Sequence, residues 1–68
     1  MNVVLNGDMR ELRDGAMLDD AVAASGAPED RRGVAVALDG EVVPRGEWES
    51  TALSDGAKVE VLQAVQGG

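Results

Sequence analysis

The sequence predicts an α+β domain in which a single helix packs on a five-stranded mixed sheet. Only one stretch, Leu18 to Ser25, carries helical spacing, while the apolar residues elsewhere alternate in short runs. The pairs Gly7-Asp8, Asp14-Gly15, Asp39-Gly40 and Asp55-Gly56 fall between those runs, where the chain has to turn. At 68 residues, one two-layer core is all the chain can build.

The first strand spans Asn2 to Asn6 around Val3 and Leu5, and Gly7-Asp8 reverses it into a hairpin. Its return strand runs from about Met9 to Arg13, with Leu12 directed inward, and Asp14-Gly15 closes it. In the helix, Leu18, Ala21 and Val22 share one face, and Asp19 and Asp20 sit in the first turn, where carboxylates meet the positive end of the dipole. Gly26 stops the helix, and residues 27 to 33, with Pro28 and several charges, form an exposed connection. Val34-Ala35-Val36-Ala37-Leu38 is the clearest strand, and Asp39-Gly40 joins it to Glu41-Val42-Val43 in a second hairpin. Pro44 cannot donate to a ladder, so pairing stops there. A loop holding Trp48 and Leu53 leads to the last strand, Lys58 to Val65, in which Val59, Val61 and Val65 alternate with Lys58, Glu60, Leu62 and Ala64. The expected core is Leu18, Val22, Val36, Leu38, Val59 and Val61.

Composition narrows the function. Cys and His are both absent, which removes disulfides, thiolate and imidazole metal ligands, and the usual nucleophile and base pairs. The acidic set Asp19, Asp20, Glu29 and Asp30 is spread over a helix and a loop without ligand spacing, and reads as a solvated face. A net charge of -7 opposes nucleic acid and anionic membrane and favours basic protein surfaces. No apolar run approaches the roughly 20 residues of a membrane span, and the N-terminus lacks signal-peptide character, so a cytoplasmic location is expected. The chain is also expected to be a monomer when free of its partners. Trp48 is the one aromatic residue and reads as a plug over one end of the layers, with recognition of a partner as the rival role. Arg45 either grips an acidic partner or bonds backbone carbonyls in its own loop.

Pairing the first and last strands in parallel at the centre of the sheet turns the order β-β-α-β-β-β into a ubiquitin-like β-grasp. Residues 1–65 form the domain and residues 66–68 a tail. Alternation lapses at Gln66, and Gly67-Gly68 finish the sequence without side chains. Extended, Ala64 to Gly68 reaches roughly 16 to 18 Å, enough to enter a partner's active site while the body stays outside. A terminal glycyl carboxylate is unhindered, but it has to be activated before anything is transferred to it. Two terminal glycines alone also fit simple fraying. On the body, Leu62, Ala64, Ala35 and Ala37 fall on the strand face opposite the core and make a shallow docking patch.

The blocks Val34-Ala35-Val36-Ala37-Leu38, Val43-Pro44-Arg45 with Trp48, then Leu53, Asp55-Gly56, Val59-Glu60-Val61 and Ala64-Val65-Gln66-Gly67-Gly68 together resemble the ThiS family of sulfur carriers in thiamine biosynthesis. The resemblance implies that an adenylating enzyme of the ThiF-like class, using ATP and magnesium, activates Gly68. Sulfur from a cysteine desulfurase route then converts it to a thiocarboxylate, and a ThiG-like thiazole synthase receives the sulfur. Only Gly68, with Gly67 behind it, carries over as the reacting end; the chain itself would bind no cofactor and would not be an enzyme. Members of the family often have Thr or Ser where Met17 stands, and Met17 offers no side-chain cap. Asp39 replaces the commoner Asn before Gly40, and both residues suit the turn. The small subunit of molybdopterin synthase, a ubiquitin-like modifier and a plain binding module are the competing readings. Isopeptide links to lysines would mark a modifier, and tolerance of a C-terminal extension would mark a binding module.

Overall fold

The computed structural model describes residues 1–64. Strands β1 (Asn2–Leu5), β2 (Asp8–Glu11), β3 (Val34–Leu38), β4 (Glu41–Val42) and β5 (Lys58–Gln63), with helix α1 (Leu18–Ala24), follow the expected order. The sheet runs β2-β1-β5-β3-β4. β1 and β5 pair in parallel at its centre, with Val4 opposite Lys58 and Leu5 opposite Val59, and every other neighbour is antiparallel. This is the β-grasp arrangement. The expected extension of the last strand to Val65, and the boundary between domain and tail, lie outside the described residues.

Alternation along the strands decides what is buried. Val3 and Leu5 of β1, Val36 of β3, and Val59 and Val61 of β5 meet Leu18, Ala21 and Val22 of α1, and Trp48, Leu53 and Ala57 close the core from the long loop. Five of the six expected core residues are therefore buried. Leu38 is half-buried, because it stands opposite Glu41 on a β4 of only two residues that gives it little cover. Leu12 is also half-buried and packs on the core, but it lies beyond β2, which starts and stops earlier than its expected range.

The first hairpin turns at Asn6-Gly7 rather than Gly7-Asp8. Asn6 has φ 50° and Gly7 φ 84°, the pair of left-handed conformations of a type I′ turn, which Asn and Gly adopt at least cost. Asp39-Gly40 repeats this geometry with φ 49° and 87°. Both turn side chains also serve β5: Asp39 Oδ1 accepts from the Lys58 N–H at 3.0 Å, and Asn6 Oδ1 accepts from the Val61 N–H at 2.8 Å. Asn6 thus continues the β1 side of the ladder after β1 itself has ended. Replacing Asn6 with alanine strands a partly buried N–H and places a Cβ residue without a helper side chain at positive φ. We expect a loss of about 1–3 kcal/mol in a urea titration, and an unchanged midpoint would rule the bond out as a stabilising contact.

The start of α1 shows how Met17 is accommodated. Its side chain caps nothing, but its N–H donates to Asp20 Oδ2 at 2.8 Å. The next two N–H groups, of Leu18 and Asp19, donate to the carbonyls of Thr51 and Trp48 at 2.8 and 3.0 Å. Backbone from a distant loop fills the role that a Ser or Thr hydroxyl would otherwise play.

Candidate functional site

The site has two parts, the point where the chain leaves the body and the open face of the sheet. β5 is the middle strand, so the C-terminal segment departs from the centre of one end of the sheet. The last described tie is Ala64, whose N–H donates to the Gly33 carbonyl at 2.8 Å. Gly33 has φ 72°, a backbone conformation that suits glycine, and a Cβ there would only reach ordinary contact, 3.4 Å, with the Ala64 carbonyl oxygen. Gln66, Gly67 and Gly68, the predicted tail and reacting end, lie outside the described residues.

Pairing register places the patch residues. Ala35 stands directly opposite Leu62, and Ala37 is flanked by Glu60 and Val42. Leu62 is 68% exposed, Ala35 is exposed and Ala37 is half-buried. Ala64 is exposed and follows on from β5 at the end of this row. The face extends further than the sequence reading placed it. Val4, opposite Met9 and Lys58, belongs to it, and so do Met9 and Val42, at 70% and 79% exposure. All three exposed large apolar side chains of the described residues therefore lie on one face of the sheet, with Lys58 and Glu60 between them. The signal for Val4 and Val42 was present as alternation, since each neighbours an inward residue. Met9 needed the pairing register of β2.

Arg45 is not part of this face. It lies in a 3₁₀ turn, Arg45–Glu47, and its guanidinium donates to the Asp30 carbonyl in a shallow depression shared with Asp19, Glu29 and Glu49. The second of its two readings, a bond to backbone carbonyl, is what the structure contains, although the carbonyl belongs to the neighbouring loop. Other arginines are likewise tied into the fold. Arg10 donates to the Ala24 carbonyl, Arg13 meets Asp20 at 3.1 Å and Arg31 meets Asp19 at 3.3 Å. Trp48 is 2% exposed and its indole N–H donates to the Val43 carbonyl at 2.8 Å, which places it in the core and not on a recognition surface. Among the described residues no group of three His, Cys, Asp or Glu side chains is placed to hold a metal, and no helix is long and apolar enough to cross a membrane.

Comparison with known proteins adds to this geometry. The crystal structure of a thiamine biosynthesis protein (ThiS) from Geobacter metallireducens matches with a TM-score of 0.79 and 28% identity, over 100% of both chains. A solution NMR structure of a thiamine biosynthesis protein from Geobacter metallireducens matches equally, over 100% of this chain and 88% of that one. No curated protein matches the sequence. The model of the ThiS family matches residues 3–68, nearly the whole sequence, and the chain belongs to the ThiS family.

Proposed function

We propose that the protein is a sulfur carrier for thiamine biosynthesis, with Gly68 as the group that is activated and loaded. The observation that carries this reading is that the family match runs through Gly68 and so takes in the diglycine end together with the body. The chemistry follows from the carboxylate. Attack by its oxygen on the α-phosphorus of ATP gives an acyl-adenylate and releases pyrophosphate. A persulfide charged by the desulfurase then displaces AMP to give an acyl disulfide, and a second thiol of the sulfur-delivery proteins cleaves its S–S bond, leaving the thiocarboxylate on Gly68 and a disulfide on the donor. ATP and magnesium belong to the adenylating partner, of the ThiF-like class. A cysteine desulfurase supplies the sulfur, and a ThiG-like thiazole synthase takes it up. In this scheme the chain contributes no catalytic side chain; it presents a slender acyl group on a body that partners can recognise.

Incubation with the adenylating enzyme, ATP and the desulfurase system should raise the intact mass by about 16 Da, the exchange of one oxygen for sulfur, and the gain should map to the final peptide. A gain on any internal peptide, or none, would overturn the reading.

Recognition of the body falls to the open sheet face. Leu62→Asp places a charge at the middle of the apolar row without touching the core. Binding to the adenylating enzyme should weaken by about tenfold or more, as for loss of a central apolar anchor, while stability stays within about 0.5 kcal/mol of the parent. Calorimetric titration and a melting curve on the same sample test this, and unchanged affinity would remove the face from the interface.

A further inference from the structure

We infer that the end of β5 is an open strand edge, and that the protein receiving the C-terminus adds an extended segment of its own there; this rests on the carrier reading above. The inference comes from a mismatch in strand length. β1 has four residues and β5 has six, and their pairing ends at Leu5 opposite Val59. Backbone direction along β5 alternates. Lys58 and Ala64 turn their peptide groups toward the β3 side, bonding Asp39 and Gly33, so Glu60 and Leu62 face that side as well. Val59, Val61 and Gln63 face the β1 side. Asn6 N–H donates to the Val59 carbonyl at 2.9 Å, and Asn6 Oδ1 accepts from the Val61 N–H at 2.8 Å. Beyond Asn6, the Val61 carbonyl and the N–H and carbonyl of Gln63 have no partner among the described residues on this side.

An unpaired backbone row is a template for another strand. Here it is short, interior to the sheet order, and immediately before the segment that has to enter a partner. Shallow depressions flank it on both faces. The outer one is bounded by Asn6, Lys58 and Leu62, the inner one by Asn6, Ser25 and Val61. Successive side chains of an added strand point to opposite faces, so one would lie against Leu62 and the next against Ser25. The occupant is therefore an extended segment carrying an apolar residue toward Leu62. Its backbone would hold Gln63 while the tail is threaded, fixing the direction in which the reacting end departs.

Hydrogen exchange reads this amide by amide. In the free protein Gln63 N–H should exchange near the unprotected rate while Leu62 N–H, turned toward β3, is slowed. In the complex with the adenylating enzyme, Gln63 N–H should become protected. Gln63→Pro removes the donor and fills its place with ring carbons, yet breaks no bond within the sheet. It should weaken the complex about tenfold, as expected for losing one backbone hydrogen bond at the crowded ring, whereas Gln63→Ala keeps the N–H and should bind as the parent does. Protection of Gln63 together with the proline-specific loss supports the inference. A complex that forms with Gln63 still exchanging freely overturns it and leaves the carrier function standing. Failure to bind either the adenylating enzyme or thiazole synthase overturns the carrier reading, and this inference with it. If the proline variant does not fold, the exchange measurement on the parent chain still decides.

Discussion

Removing Gly68, or adding one residue after it, is expected to abolish ATP-dependent activation and leave the body folded. Activation needs a free carboxylate on an unhindered carbon placed in line with the α-phosphorus of ATP, and effective molarities in such reactions fall steeply with misplacement. Deletion shortens the reach by about 3.3 to 3.6 Å. Extension moves the carboxylate onward by as much and puts a peptide bond where the acid should be. Either change displaces the reacting atom by several times the 1 Å that costs roughly a hundredfold in rate. The fold should be indifferent, since every buried side chain of the described residues lies at or before Val61. Pyrophosphate release with the adenylating enzyme measures the first effect and circular dichroism the second. Full activation of the extended chain would sink the carrier function. Loss of folding on deletion would make Gly68 structural and bring the binding-module reading forward.

Local signals carried most of the fold. Leu18, Ala21 and Val22 are all buried as their spacing requires, and Asp39-Gly40 turns as its composition requires. Local signals are insufficient where the conformation depends on a distant pairing. Gly7-Asp8 and Asn6-Gly7 are both plausible turns in isolation. Pairing of Leu5 with Asp8, and the bond from Asn6 to the Val61 N–H, select the second. Met17 looked like a missing cap because the carbonyls that serve α1 come from Trp48 and Thr51, some thirty residues away in sequence. The docking face was legible in part. Leu62 and Ala35 followed from alternation within their own strands, whereas Met9 joined them only once β2 had a register against β1. The open edge after Asn6 could not be read from either strand, because it is a difference between the two lengths.

Trp48→Ala should lower the stability of the fold by about 3–5 kcal/mol. The indole is 2% exposed and is the largest side chain in a core otherwise made of Val, Leu and Ala, so no neighbour is long enough to collapse into the space it leaves. Its loss also strands the Val43 carbonyl, which the indole N–H satisfies at 2.8 Å. A third consequence is less local: the Trp48 carbonyl receives the Asp19 N–H at 3.0 Å, so loosening the loop exposes the first turn of α1, where Met17 supplies no side-chain substitute. For a domain of 60–100 residues, about 1 kcal/mol corresponds to roughly 4–8 °C in Tm, so the melting temperature should fall by at least about 12 °C. Trp48→Phe keeps most of the ring volume and loses the N–H, which should cost less than the alanine change, about 1–3 kcal/mol. Thermal melts of the three proteins followed by circular dichroism give the order. In the parent, this lone fluorophore should emit at short wavelength and shift to the red on unfolding. Equal melting temperatures for parent and Trp48→Ala would contradict a core built around the indole, and a phenylalanine variant as stable as the parent would remove the Val43 bond from the account.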